Sequence, residues 1–298
     1  MPSVEERVRD TLRHAGATGW VHAVPIGGSP SREVAVGADE LVVMASVYKL
    51  PLLVGLCARF ADGTLDPTAT VRVHPASGSP GPTGIAAFLD PVTVSWRDLA
   101  ASMIAVSDNL AADVILGEVG LDAVRAVLSE CGLSATKVVG GQADVEAALV
   151  RDTGAASAAE AFAMLQDNDA ALTVSAYDPA FASATTAREM TRLLAMIWSD
   201  AVVDPGWCAF VRRLLGLQVW PHRVRAGFPY AGVTVAGKTG TIGAIRNEVA
   251  VVTFPGETPI AVAVFTFAAR ADAFLPAVDA AIGECARLAV TELRSGRW

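Results

Sequence analysis

Apolar residues recur at helical spacing in the first part of the chain. Near the N-terminus Val4, Val8 and Leu12 lie four residues apart, which predicts a helix over residues 4–15. A longer and mostly apolar stretch over residues 46–60 predicts a second helix, because it ends at an Asp-Gly pair typical of helix termination. These two segments are the first predicted contributions to the core.

Helical spacing continues through the middle of the chain, and the last third is rich in strands. Ser-x-x-Asp at 95–98 and Thr-x-x-Glu at 186–189 resemble capping boxes that open helices. Further helices are predicted over residues 111–118, 122–131 and 277–293. Strands are predicted over residues 20–25, 33–36, 233–241, 248–253 and 260–268. Strands at both ends with helices between them predict an α+β fold, in which residues 1–43 and 222–298 form a sheet domain and residues 44–221 an inserted helical domain.

The composition is typical of a folded protein with a large core. Apolar residues make up 52% and charged residues 18% of the 298 positions, which excludes a disordered chain. The formal net charge of −8 argues against nucleic acid or an anionic membrane as a partner. We therefore expect a monomer that acts on a small molecule.

The cysteines and the N-terminus indicate a reducing compartment. The widely spaced cysteines favour buried thiols over a disulfide framework, and they are Cys57, Cys131, Cys208 and Cys285. Residues 1–10 are charged and contain no apolar segment of signal-peptide length. As written, the chain is expected to be cytoplasmic, and it would be secreted only if a leader had been removed.

Three short motifs carry the candidate chemistry. They are Ser-Val-Tyr-Lys at 46–49, Ser-Asp-Asn at 107–109 and Lys-Thr-Gly at 238–240. Each alone is weak, because a serine three residues before a lysine occurs by chance in many proteins. Together they supply a nucleophile, its base, a proton relay and a cationic anchor.

The first motif pairs a nucleophile with a base. Ser46 and Lys49 are three residues apart at the start of a predicted helix, so their side chains share one face. Lys49 can accept the serine proton only if its pKa falls well below about 10.4, and burial and a second cation both lower it. Lys238 is the expected second cation. The backbone N–H groups of Ser46 and Thr241 are the expected oxyanion hole, and Ser107 is the expected relay to the departing nitrogen.

In this order, the three motifs are the mark of class A β-lactamases and penicillin-binding proteins. The chain therefore resembles the penicillin-recognising serine hydrolases over residues 20–270, and within them the class A branch. The resemblance implies an antiparallel sheet flanked by terminal helices, an inserted all-α domain, and an active site at their junction.

The resemblance also implies a set of substrate-binding residues. In relatives the Lys-Thr-Gly strand binds the carboxylate shared by β-lactams and peptidoglycan stems, which here implies Lys238 with Thr239, Gly240 and Thr241. Asn109 is expected to bind an amide carbonyl of the substrate. Arg246, followed by Asn and Glu, resembles an Arg-Asn-Asp run in which the arginine supports the carboxylate; a plain strand-edge charge is the alternative.

The chain departs from the class A pattern at the deacylating base. Relatives have Glu-x-x-Leu-Asn about 35 residues after Ser-Asp-Asn, whereas this chain has Glu146-x-x-Leu149 with Val150 in place of the asparagine. Glu146 is the first candidate for the base and Asp144 the second, and a surface carboxylate on an Ala-rich helix is the alternative. Residues 140–183 are expected to form extra helix and loop near the mouth of the site.

Two other kinds of site are rejected. Residues 232–239 match the phosphate-loop pattern G-x-x-x-x-G-K-[ST]. A phosphate loop must curve around an anion and then open a helix, whereas the β-branched residues here favour an extended strand and the glycines that follow are poor helix starters. The histidines are scattered and no His or carboxylate cluster has metal spacing, so we expect neither a Ser-His-Asp triad nor a metal or other cofactor.

Three functions remain open at this point. The first is a class A-like β-lactamase, in which water frees the acyl-enzyme. The second is a D,D-peptidase, esterase or amidase that acts on a linear acyl peptide or ester, or a slowly deacylating penicillin-binding protein. The third is a receptor or scaffold that is acylated once and then held.

Overall fold

The computed structural model describes residues 2–28, 32–168 and 172–295. Its helices are α1 (Val4–His14), α2 (Lys49–Ala61), α3 (Trp96–Ala105), α4 (Asn109–Val119), α5 (Leu121–Glu130), α6 (Gln142–Thr153), α7 (Ala158–Met164), α8 (Ala187–Trp198), α9 (Pro205–Leu215) and α10 (Pro276–Ser295). Its strands are β1 (Ala17–Pro25), β2 (Val34–Val36), β3 (Val42–Val43), β4 (Thr70–Val73), β5 (Val92–Ser95), β6 (Ala184–Thr185), β7 (Thr234–Ile242), β8 (Ile245–Thr253) and β9 (Ile260–Ala268).

The main sheet is antiparallel and draws its strands from both ends of the chain. Its five strands lie in the order β2-β1-β9-β8-β7, so that β7 is an edge strand. Two small two-stranded sheets, β3 with β6 and β4 with β5, lie outside it. This confirms the predicted α+β fold with an antiparallel sheet, whereas the domain boundaries at residues 43 and 222 stay a prediction.

The two faces of the sheet are covered by different helices. In β8 and β9, odd-numbered residues such as Val249 and Phe265 pack in one cluster with α8 and the helices of the middle of the chain. Even-numbered residues such as Val252 and Val264 pack in another cluster with α1 and α10. Because side chains alternate between the faces of a strand, the terminal helices cover one face and the helical part covers the other.

Local sequence signals explain where most helices begin. Ser3 and Glu6 form the reciprocal bonds of a capping box at α1. Ser95 and Thr186 cap α3 and α8 by accepting backbone N–H bonds, as predicted. The side chain of Glu189 does not complete the second capping box, because it bonds instead to the Ala135 N–H and the Thr136 hydroxyl.

Several elements begin a few residues from the predicted positions, and two of these shifts, in α2 and β8, concern the residues of the motifs. The α-helical part of α2 starts at Lys49, because residues Ala45–Tyr48 form a short 3₁₀ helix that precedes it. Strand β8 starts at Ile245 instead of residue 248, because polar residues 246–248 are buried inside the sheet. The start of β8 was missed because a strand is recognised from its apolar residues, and buried polar residues at a functional site interrupt that pattern.

The remaining predictions for the fold concern thiols and the middle segment. All four cysteines are buried free thiols, as predicted. Residues 140–183, predicted as extra helix and loop, contain α6, α7 and the 3₁₀ helix Ser175–Tyr177. Residues 169–171 of this segment lie outside the described residues. Within the described ranges, no helix is both long and apolar enough to cross a bilayer.

Candidate active site

Ser46 lies in the 3₁₀ helix Ala45–Tyr48, between β3 and α2. The preceding residue, Ala45, has a positive φ of 47°, a left-handed conformation that is uncommon outside glycine. Asn247 holds the entrance to this turn from β8, because its side-chain amide donates to the carbonyls of Val43 at 2.9 Å and Met44 at 3.2 Å. The strained turn is therefore anchored directly to the sheet.

Strand β7 reaches this turn at Gly240. A Cβ atom at Gly240 would lie 2.5 Å from the Met44 carbonyl oxygen and 3.2 Å from the Val47 nitrogen. Only a residue without a side chain allows such a close approach of two backbones. Gly240, predicted as part of the substrate site, thus sets the distance between the Lys-Thr-Gly strand and the Ser46 turn.

Replacing Gly240 with alanine is expected to push β7 away from the Ser46 turn. We expect a loss of about 1–3 kcal/mol in the free energy of unfolding, the usual cost of overpacking, and acylation of Ser46 slowed more than tenfold. Denaturant unfolding and the rate of covalent labelling by a β-lactam measure the two effects. Gly117→Ala on α4 is the matched control, because nothing lies within 4 Å of the added methyl group. Equal effects of the two substitutions would contradict this interpretation.

The second motif lies in a loop held by a buried aspartate. Asp108 accepts bonds from the Ile85 N–H, the Ser102 hydroxyl and the Ala111 N–H, and it is the N-cap of α4. The neighbouring Ser107 has a positive φ of 60°. Asp108 therefore has a structural role in this loop, where it holds the backbone next to Ser107.

Both lysines of the motifs converge on Ser107. The Lys238 amine donates to Ser107 Oγ at 2.9 Å, and the Lys49 amine lies 3.4 Å from the same hydroxyl. Lys49 also donates to the Ser107 carbonyl at 2.7 Å and to Asn109 Oδ1 at 2.8 Å. Two amines that are distant in the sequence thus meet at one hydroxyl, between the sheet and the helices.

The pKa values of the two lysines are lowered. Both side chains are 0% exposed. Burial lowers the pKa of Lys49 to about 7, although the nearby Asp108 and Asp113 oppose this shift. Burial also lowers the pKa of Lys238, and the charges of Lys49 and Arg223 lower it further. Lys49 is therefore able to act as a base near neutral pH, as its motif predicts.

A cleft of about 980 Å³ opens beside these groups. The predicted site residues that line it are Ser46, Ser107, Asn109, Thr239, Thr241 and Arg246. The Thr239 N–H donates to Gln218 Oε1 at 2.6 Å, away from β8. Because N–H groups alternate along a strand, the Thr241 N–H points to the same outer side. This direction agrees with its expected place in the oxyanion hole.

Arg246 lines the cleft, but its guanidinium is bound to the protein. It is 2% exposed, and it donates to the carbonyls of Gly243, Ile245 and Asp272. Its expected role at a substrate carboxylate stays a prediction. Arg223, which sequence reasoning missed, lies nearer to the Lys-Thr-Gly strand.

Arg223 is buried in the wall of the same cleft. Its guanidinium donates to Thr241 Oγ1 at 2.7 Å, to the Gly240 carbonyl at 3.0 Å and to Asp279 Oδ1 at 2.6 Å. Sequence reasoning missed it because it lies between α9 and β7, in a segment with no periodic pattern. The nearby Trp220 and His222 also line the cleft. An aromatic residue and a histidine so close to Arg223 were a weak sequence signal that this segment belongs to the site.

The candidate bases for deacylation, Asp144 and Glu146, lie on α6, and neither lines the two cavities that Ser46 lines. Asp144 accepts a bond from the Gly141 N–H and so caps the helix. Glu146 accepts a bond from Gln142 Nε2 at 3.0 Å, and burial raises its pKa. Among the described residues, Gln142 and Val145 line a small cavity beside Ser46, and Glu146 lines neither that cavity nor the cleft. The role of Glu146 as the base therefore stays a prediction.

Known proteins resemble this chain along its whole length. A model of the β-lactamase enzyme family matches residues 3–293. The β-lactamase regulatory protein BlaB of Streptomyces cacaoi is 27% identical, with 98% of each chain covered. An ancestral class A β-lactamase has a TM-score of 0.78 at 24% identity, covering 97% of this chain and 99% of its own. The structure named PBP-A has a TM-score of 0.77 at 17% identity, covering 98% and 96%.

Proposed function

This chain belongs to the β-lactamase enzyme family, and we propose that it is a serine hydrolase whose Ser46 forms an acyl-enzyme with β-lactams. The observation that carries the proposal is the meeting of the Lys49 and Lys238 amines at Ser107 Oγ, beside a cleft lined by Ser46. A lysine whose pKa is lowered to about 7 supports the role of base that this chemistry requires. Membership of the family supports the class of reaction.

In the proposed acylation, Ser46 first attacks the lactam carbonyl, a tetrahedral intermediate then forms, and the lactam C–N bond finally breaks. Ser46 Oγ forms a bond to the carbonyl carbon of the lactam amide while its proton passes to the neutral Lys49 amine. The N–H groups of Ser46 and Thr241 stabilise the negative charge on the carbonyl oxygen. The C–N bond of the lactam then breaks, and Ser107 Oγ gives a proton to the departing nitrogen and regains one from the lysine amines.

The cleft supports recognition of a substrate that carries a carboxylate. The Arg223 guanidinium, which is paired with Asp279, donates to the Thr241 hydroxyl, and the Lys238 amine lies at Ser107 Oγ. A charge-assisted hydrogen bond to a buried cation is stronger than a neutral one. We therefore assign the carboxylate of the substrate to Thr239 and Thr241, with Arg223 behind the latter.

A receptor or penicillin-binding role is the second candidate. It is favoured by the small cavity at Ser46, whose described lining residues include Gln142 and no carboxylate. Two proteins similar to this chain are named as a regulatory protein and as a penicillin-binding protein type, PBP-A. In this role the acylation chemistry is the same, and the fate of the acyl-enzyme differs.

Incubation with a chromogenic cephalosporin and a penicillin tests the proposal. Intact-mass spectrometry is expected to show one acyl group per chain, and peptide mapping is expected to place it on Ser46. Continued colour formation after the first equivalent would support a β-lactamase, whereas a single equivalent would support the second candidate. A folded protein that gives neither colour nor adduct would refute the proposed function.

A further inference from the structure

A buried carboxylate lies beside the site and has no part in the acylation steps described above. Glu248, on β8, is 0% exposed, and in the register of the sheet it lies directly opposite Thr239 on β7. Residues opposite one another in an antiparallel pair share a face of the sheet. The side chain of Glu248 therefore leaves the sheet next to the Lys-Thr-Gly strand, and a buried carboxylate needs hydrogen-bond partners there.

Three hydrogen bonds connect this carboxylate to the edge of β7. The Thr239 N–H donates to Gln218 Oε1 at 2.6 Å. The amide of Gln218 in turn donates from Nε2 to Glu248 Oε1 at 2.8 Å. The second carboxylate oxygen, Oε2, accepts the Val224 N–H at 2.7 Å. Glu248 thus binds both ends of the segment 218–224, which follows α9.

The directions of these bonds determine the protonation state of Glu248. A backbone N–H is always a donor, so Gln218 must turn its oxygen to Thr239 and its NH₂ group to Glu248. Val224 presents another backbone donor. Because both carboxylate oxygens face donors, both must accept, and only the ionised carboxylate has no donor of its own.

The surroundings of Glu248 act on its ionisation in opposite directions. Burial raises the pKa of Glu248 to about 7. The hydrogen bonds from Val224 and Gln218 and the positive charges of Arg223 and Lys238 act to lower the pKa. A test of the ionised form is therefore made at about pH 8, above the pKa of this carboxyl group.

The segment that Glu248 binds carries a cation of the site. Arg223 directly precedes Val224, and its guanidinium donates to Thr241 Oγ1 at 2.7 Å and to the Gly240 carbonyl at 3.0 Å. The bond from the Val224 N–H to Glu248 fixes the backbone next to Arg223. The position of the guanidinium behind Thr241 therefore depends on how the segment is bound to the sheet.

We propose that ionised Glu248 is a positioning residue, which holds the segment 218–224 on the edge of β7 and so places Arg223 behind Thr241 for the carboxylate of the substrate. This inference rests on the proposed acylation of Ser46 and on the proposed place of that carboxylate. Glu248 is not among the described residues that line the cleft, so it acts through the segment and not on the substrate.

Removing one acceptor tests the proposal. Glu248→Gln keeps the shape of the side chain, but one end of the new amide is a donor, which must face either the Gln218 amide or the Val224 N–H. The readout is the ratio of the second-order rate constants at which a penicillin and its methyl ester label Ser46, followed by intact mass. We expect this acid-over-ester selectivity to fall at least about tenfold, because unmatched buried donors displace the segment.

Exchanging the two side chains restores every donor–acceptor pair. In Gln218→Glu combined with Glu248→Gln, the new carboxylate accepts from the Thr239 N–H and from the new amide, and the oxygen of that amide accepts the Val224 N–H. The net charge and the side-chain sizes are unchanged. We expect the exchanged variant to regain the selectivity to within about threefold of the unmodified protein, which is strong coupling in a double-mutant cycle.

Matched variants separate this network from a general loosening of the site. Glu130→Gln makes the same change at an exposed position at the end of α5 and is expected to leave the selectivity unchanged. Gln218→Glu alone turns two carboxylates toward each other and is expected to lower the selectivity as Glu248→Gln does. If the site were merely loosened, the second substitution would add to the damage of the first.

Two results would overturn the proposal and leave the proposed function intact. One is a folded Glu248→Gln variant with unchanged selectivity. The other is an exchanged variant that does not fold or does not regain the selectivity. If Glu248→Gln alone fails to fold, an exchanged variant that folds and is selective supports the proposal.

Two other results concern the premises. Equal labelling of the unmodified protein by the acid and the ester would refute the place of the carboxylate, and the inference with it. Absence of any adduct on the folded unmodified protein would refute the proposed function itself.

Discussion

Replacing Ser46 with alanine is expected to reduce acylation by at least about 10⁴-fold, since removal of a catalytic nucleophile costs up to about 10⁶-fold. The neighbouring hydroxyl of Ser107 does not replace it, because Ser107 Oγ is held between the Lys238 and Lys49 amines. The rate of adduct formation with a penicillin, followed by intact mass, measures the effect.

The fold should survive this change. Ser46 lies in a short 3₁₀ helix that is held by backbone contacts and by Asn247, and its side chain is at the surface of the cleft. The matched control is Ser129→Ala near the end of α5, an exposed position far along the chain from the motifs. An adduct of equal mass that forms on Ser46→Ala at an unchanged rate would remove Ser46 from the mechanism.

Replacing Lys49 with methionine is expected to slow acylation by between about 10² and 10⁴-fold, the range attributed to a general base. Methionine has a similar length and no charge to bury, so the helix core around this position keeps its volume. In the unmodified protein the rate should rise as pH passes through about 7, because only the neutral amine of Lys49 accepts the serine proton. Rates of labelling between pH 5 and about pH 9 measure this limb, which the variant should lack.

The same substitution at another lysine controls for the loss of positive charge. Lys137 donates to the Ala180 carbonyl and lies outside the cleft, so Lys137→Met should retain both the rate and the pH limb. A Lys49→Met variant that folds and keeps the full rate with the limb near neutral pH would assign the proton transfer to another group. Lys238 would then be the first candidate, because burial also lowers its pKa.

The candidate nucleophile, Ser46, and its candidate relay, Ser107, were identifiable from the sequence because their signals are local. Ser46 and Lys49 are neighbours on one turn, and the order of the three motifs predicted that they act together with Ser107 and Lys238. The structure brings these groups together and adds what the motifs do not contain. Asn247 anchors the Ser46 turn, because its side chain donates hydrogen bonds to the carbonyls of Val43 and Met44, about 200 positions earlier in the chain.

Two parts of the site could not be derived from the sequence. Arg223 lies in an irregular segment, and only folding places its guanidinium on Thr241. On α6, the partial Glu-x-x-Leu match drew attention to Glu146, whereas the first helical residue, Gln142, lines the small cavity beside Ser46. Gln142 and Glu146 are one helical turn apart on α6. The sequence does not specify which turn of this helix lies next to Ser46.

The sequence by itself determined the types of residue that carry the chemistry, the order of their motifs, and the helices and strands whose apolar spacing is regular. These properties depend on neighbours within a few positions. The tertiary structure alone decided that the amines of Lys49 and Lys238 share one hydroxyl, that burial lowers their pKa values, and that Gln142, and neither Asp144 nor Glu146, lines the small cavity beside Ser46. Burial and contact across the chain are properties of the whole packed molecule, because each depends on how separate elements pack against one another.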